Sequence, residues 1–119
     1  MNASSIFATT LIILSSNTYA STRISAKEAP FHTGENVVAC GGLAQTSRFK
    51  RGVYLNLEAH YPKQPLTLVV WEDDLTQFNQ QHGDLDKLVG KTICGTGTIT
   101  EYKGRSQIIL YNAYSLIVN

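Results

Sequence analysis

Ten lysines and arginines stand in this chain of 119 residues, and five of them fall in two short segments. Arg48, Lys50 and Arg51 lie in "TSRFKRG", and Lys103 and Arg105 flank Gly104 in "TGTITEYKGRSQIILY". The formal net charge is only +1, so no broad basic field surrounds the molecule, and any polyanion must be held by a local cluster. Aromatic side chains accompany the cations. Phe49 sits among the first three, while Tyr54 and Trp71 belong to the alternating stretches that follow. Cations that neutralise phosphates beside aromatic faces that stack on unpaired bases are what a single strand requires. Each feature also has a purely structural reading: cations at a hairpin tip discourage edge-to-edge association, and a cross-strand Tyr–Trp pair stabilises a sheet.

Catalytic constellations are missing from the pattern. His32, His60 and His82 have no converging spacing, and Asp84 and Asp86 stand near His82 without an EF-hand or HExxH motif. Gly95 and Gly97 lie in an alternating stretch with no helix after them, which is not a phosphate loop. No serine sits in a nucleophile elbow. The expectation is a chain that is not an enzyme and uses no cofactor and no metal.

The elements that must position these residues are mostly strands. "NVVACGGLAQ" is β-prone, with the Gly41-Gly42 pair marking a bulge or bend. "VYLNLEA" alternates, with Val53, Leu55 and Leu57 on one face and Tyr54, Asn56 and Glu58 on the other. With "HYPKQP" as the turn, "LTLVVW" returns with Leu66, Leu68 and Val70 inward, and counting across the hairpin sets Tyr54 opposite Trp71. "EDDLTQFNQQHGDLDKLVG" is the helical segment, capped by Asp73 or Asp74 and interrupted at Gly83. "KTICGTGTITEY" and "SQIILYN" are two further strands, and residues 116–118 extend or flank the last.

Three strands, a helix and two strands, the first strand bent by glycine, is the order of an all-β, five-stranded Greek-key barrel of the OB-fold type. The segments "TGENVVACGGLA", "RGVYLNLEAHYPKQPLTLVVW" and "LVGKTICGTGTITEYKGRSQIIL" resemble the OB-fold nucleic-acid-binding modules of bacterial exported proteins, the kind that sometimes accompany secreted nucleases. The resemblance covers residues 33–118 and is most specific at Tyr54-Leu55-Asn56-Leu57, at Tyr61-Pro62, and from Gly90-Lys91 through Gly104-Arg105. It implies ligand binding on strands two and three, between the loop joining strands one and two and the loop joining strands four and five. The expected site is therefore Arg48, Phe49, Lys50, Arg51, Tyr54, Asn56, Trp71, Lys103 and Arg105, with single-stranded nucleic acid as partner. An envelope protein or a glycan is the alternative partner, since OB folds host unrelated ligands.

Residues 1–20, "MNASSIFATTLIILSSNTYA", carry no charged side chain, an apolar run from Ile6 to Leu14, and Thr18 and Ala20 placed for signal-peptidase cleavage before Ser21. The n-region lacks Lys and Arg, a departure from the usual pattern. The expected organisation is a signal peptide over 1–20, an exposed leader over 21–35, and the domain over 36–119, in the periplasm or secreted. In an oxidising compartment Cys40 and Cys94 form one disulfide, with two buried free thiols as the alternative. The barrel reading places the two on adjacent antiparallel strands, within reach of each other.

Overall fold

A computed structural model describes residues 22–119, so the signal-peptide expectation lies outside the described residues. The described residues form seven strands and one α-helix: β1 (Thr22–Ser25), β2 (Asn36–Phe49), β3 (Gly52–Leu57), β4 (Leu66–Trp71), α1 (Leu75–His82), β5 (Thr92–Tyr102), β6 (Arg105–Leu110) and β7 (Leu116–Val118). Period-two alternation gives β3 and β4 their core face. Val53, Leu55 and Leu57 meet Val70, Leu68 and Leu66 across the hairpin, and all six are buried. Strand β4 continues the sheet to β6, β6 pairs with β5, and β5 returns to β2, which pairs with β3. That closes a five-stranded barrel with the OB-fold order, and closure leaves none of these five strands wholly unpaired.

One long strand makes the closure possible. Residues 36–42 of β2 pair with β5 and residues 43–49 pair with β3. The register to β5 runs unbroken through Gly41 and Gly42, and the shift comes just after them, between Leu43 and Gln45. Gly41 has a different use from the expected bulge. A Cβ there would meet the Glu58 carboxylate at 2.6 Å and the Ala26 methyl at 2.9 Å. On β5, a Cβ at Gly95 would lie 2.6 Å from Leu68 and one at Gly97 2.6 Å from Ile108, so these glycines leave room for the large side chains that fill the barrel.

The stretch expected as an exposed leader is built into the fold. Thr22–Ser25 adds to β2 as a parallel strand. Residues Ala26–Phe31 form a 3-10 turn capped by Ser25, with Ile24, Ala26 and Ala29 buried. Pro30 and the surrounding polar residues masked a sparse apolar pattern of small side chains. At the opposite edge β7 pairs with β5. Between the two edge strands, Cys40 faces Cys94 in register, with Cα atoms 4.0 Å apart, and the two form a disulfide.

The helical segment splits at Gly83, whose φ is +76°. A 3-10 turn at Glu72–Asp74 leads into α1, and another follows at Leu85–Leu88. The Asp74 side chain makes no capping hydrogen bond to α1, contrary to expectation, whereas Asp84 does cap the later turn by accepting from the Asp86 N–H. Leu75, Phe78, Leu85 and Leu88 are buried. His82 donates to the Ala113 carbonyl at 2.8 Å, and Thr46 donates to the Asp86 carboxylate at 2.6 Å, so both residues tie the connection to its neighbours. Among the described residues no helix is long and apolar enough to cross a membrane.

Candidate functional site

Inward-facing leucines on β3 and β4 leave the alternate residues on the outer face, and these line up strand by strand. Gln45, Asn56, Thr67, Gln107 and Thr100 occupy successive register positions on β2, β3, β4, β6 and β5. They form a polar row across the barrel wall. Asn56 donates through Nδ2 to Gln45 Oε1 at 2.9 Å, Thr67 donates to Asn56 Oδ1 at 2.8 Å, and Gln64 donates through Nε2 to Thr67 Oγ1 at 3.1 Å. Asn56 and Thr67 are buried, and a buried amide or hydroxyl is held in one orientation when its partners are in place.

A groove of about 380 Å³ lies over this row. Its floor is Asn56, Thr67 and Gln107, its walls include Tyr54, Tyr61 and Tyr102, and Lys103 and Arg105 stand at its rim. The corner that carries the two cations is a two-residue turn. Tyr102 pairs with Arg105, and Lys103 and Gly104 both take positive φ (51° and 78°), the geometry whose twist suits a tight hairpin. Glycine fits the second position without strain. The Arg105 guanidinium lies over the Tyr61 ring at 4.5 Å from its centre, and the Lys103 ammonium lies 5.4 Å from that of Tyr102. Both are cation–π contacts, which present a cation and an aromatic face together.

The groove continues toward the β2–β3 turn as an aromatic cluster. Phe49 stacks on Tyr54, with ring centres 4.1 Å apart and planes 12° from parallel, and meets Trp71 edge-on at 6.0 Å. Tyr54 is not opposite Trp71: it faces Val69, and Trp71 faces Gly52. The expected register is off by two because the connection is longer than "HYPKQP". Glu58 takes a φ of +73° and ends the strand, so the loop runs over residues 58–65. A two-residue slip keeps each side chain on its face, and Phe49 bridges the gap between the two rings. Gly52 is required where it stands, because a Cβ would collide with the Val70 carbonyl oxygen.

Of the residues singled out from the sequence, Tyr54, Asn56, Lys103 and Arg105 line the groove. Phe49 and Trp71 extend it through the aromatic cluster. Lys50 and Arg51 lie at the β2–β3 turn, beyond the groove. Arg48 is placed elsewhere. It is in register with Val53, on the core-facing row, and at the barrel mouth its guanidinium pairs with Glu72 at 3.8 Å. Ser47, Tyr61, Gln64, Thr67, Tyr102, Ser106 and Gln107 line the groove without having been singled out. Outward alternation on β4 and β6 marks Thr67 and Gln107, whereas only the folded loop brings Tyr61 and Gln64 to the site. Among the described residues, no carboxylate, imidazole or thiol belongs to the groove lining.

No family model matches the chain, and no curated protein matches it. Among solved structures it is similar to a chain in the crystal structure of the S. pombe Stn1–Ten1 complex, at 15% sequence identity and a TM-score of 0.52. That match covers 71% of this chain and 57% of the other. A likeness at this identity carries the fold, and the fold it carries is the closed barrel described above.

Proposed function

We propose that this chain is an exported, non-catalytic OB-fold module that binds single-stranded nucleic acid across the outer face of β3, β4 and β6. The observation that carries the reading is the groove itself. Tyrosine walls offer faces to bases, an amide and hydroxyl floor offers hydrogen bonds to base edges, and two cations at one rim offer charge to phosphates. The groove lining is made of amides, hydroxyls, phenols and cations, without a carboxylate, imidazole or thiol among the described residues, a composition that supports binding. The Cys40–Cys94 disulfide supports an oxidising compartment, and with it the signal peptide read over residues 1–20.

Titrating the protein into fluorescein-labelled single-stranded DNA at low salt, read by anisotropy, tests the binding. Saturable binding is expected, with the emission of Trp71 changing as the strand meets the aromatic cluster. A folded protein that shows no anisotropy change with DNA or RNA single strands ends the nucleic-acid reading in favour of a protein or glycan partner. Export is tested separately: the protein recovered from the periplasm is expected to begin at Ser21, and recovery only from the cytoplasm with residues 1–20 attached rejects it.

A further inference from the structure

Beneath the groove the hydrogen bonds have a fixed polarity, set by one backbone group. The Tyr61 N–H donates to Gln45 Oε1 at 2.9 Å, which identifies that atom as the carbonyl oxygen. The Asn56 atom facing it must then be the NH₂ group, so Asn56 Oδ1 points to Thr67 and receives the hydroxyl proton. Thr67 has one proton and has given it to Asn56, so its oxygen can only accept from its other neighbour. That neighbour is Gln64, which therefore presents Nε2 to Thr67 and turns Oε1 away. Reversing the Gln64 amide would set two acceptors against each other. Nothing in the chain of donors is left to choice.

The consequence falls on Gln64 Oε1. It is buried and takes no hydrogen bond from any described residue. A buried acceptor without a donor is costly, and native structures leave few of them. Gln64 belongs to the groove lining, in the same loop as Tyr61, whose ring is covered by the Arg105 guanidinium.

Building on the binding function proposed above, we propose that Gln64 Oε1 selects cytosine and adenine, which carry an amine at C4 or C6, over thymine and uracil, which carry a carbonyl oxygen at C4. A base enters where Arg105 now covers Tyr61, replacing one planar partner with another, and its amine donates to Gln64 Oε1. In cytosine the N4 amine supplies the missing proton. In thymine the same ring position is a carbonyl oxygen, so acceptor meets acceptor and the buried oxygen stays unsatisfied. Cytosine and thymine stack alike, so the difference between them isolates the hydrogen bond.

The test compares anisotropy titrations of wild-type protein with dC, dA and dT homopolymers of equal length at neutral pH. The expected order puts dC and dA about 10-fold tighter than dT, the scale of one well-placed base contact. Replacing cytosine by 2-pyrimidinone, which lacks only the amine, is expected to bring affinity down to the dT level. Gln64→Met keeps the length and removes the acceptor, and is expected to abolish the preference for dC and dA over dT. Equal affinity of the wild-type protein for dC, dA and dT overturns the selectivity and leaves nucleic-acid binding standing. A preference that survives in Gln64→Met, or with 2-pyrimidinone, also overturns it by placing the selectivity elsewhere. Binding of no oligomer removes both proposals.

Discussion

Five basic side chains crowd two loops in the sequence, but the fold does not give them one task, and salt dependence separates them. Lys103 and Arg105 rim the groove. Arg48 shares the core-facing row and pairs with Glu72 at the barrel mouth. A phosphate neutralised on a single strand contributes about −0.7 to the slope of log affinity against log salt. The two rim cations alone then give about −1.4, and about −2.8 if the strand extends to Lys50 and Arg51. Between about 50 and about 200 mM salt, a slope of −2.8 costs about 50-fold in affinity and a slope of −1.4 about 7-fold. Lys103→Ala/Arg105→Ala is expected to flatten the wild-type slope by about 1.4, and Arg48→Ala to change it by less than about 0.3. Both variants alter exposed or half-exposed side chains, so stability should move by no more than about 0.5 kcal/mol, which circular dichroism melts would verify. Anisotropy titrations across the salt series supply the slopes. If Arg48→Ala flattens the slope as much as the double variant does, the strand crosses the barrel mouth instead of the outer face, and the proposed path is wrong.

Three further outcomes follow from individual contacts. Tyr54→Ala removes a groove wall and the ring stacked on Phe49; it should weaken single-strand binding by about 1–3 kcal/mol with an unchanged salt slope, since stacking releases few ions. Joint replacement of Cys40 and Cys94 by Ala opens a cross-link spanning 54 residues and should lower unfolding free energy by about 4 kcal/mol in the loop-entropy view, seen as a shift in the urea midpoint; a change under about 1 kcal/mol would speak against that origin of the stability. Gly52→Ala drives a methyl into the Val70 carbonyl and should destabilise by about 1–3 kcal/mol, whereas Gly42→Ala, with open space around its Cβ, should cost less than half as much in the same thermal melts.

The barrel was legible because its strands alternate strongly and its breaks carry glycine or proline. Val53, Leu55, Leu57, Leu66, Leu68 and Val70 name the core face of the β3–β4 hairpin without help from the structure, and all six are buried. Illegible elements were those with weak local signals. Strand β1 has four residues with one apolar side chain, Ile24, facing the interior, and the turn after it buries two alanines, of which Ala26 depends on the space that Gly41 leaves beside it.

 The close approach of Ala26 to Gly41 joins segments that no local periodicity connects, which is why the leader looked exposed.

The site shows the same division more sharply. Residue types on the outer face follow from alternation, so Tyr54, Asn56 and Thr67 are assigned to it as soon as the leucine face is known. Which of them meet one another depends on register, and register depends on where Glu58 ends the strand. A strand shortened by two residues moved Trp71 from Tyr54 to Gly52 and made Phe49 the ring that stacks on Tyr54. Arg48 lies outside the groove lining for a related reason. The bulge between Leu43 and Gln45 inverts the parity of β2, so that Gln45, Ser47 and Phe49 face outward while Arg48 joins the row of Val53. Without that one extra residue, Arg48 would stand opposite Gly52 on the outer face and Phe49 would turn toward the core. A single bulge thus decides whether an aromatic ring or a cation borders the groove at this end, and here it places the ring there and sends the cation to Glu72.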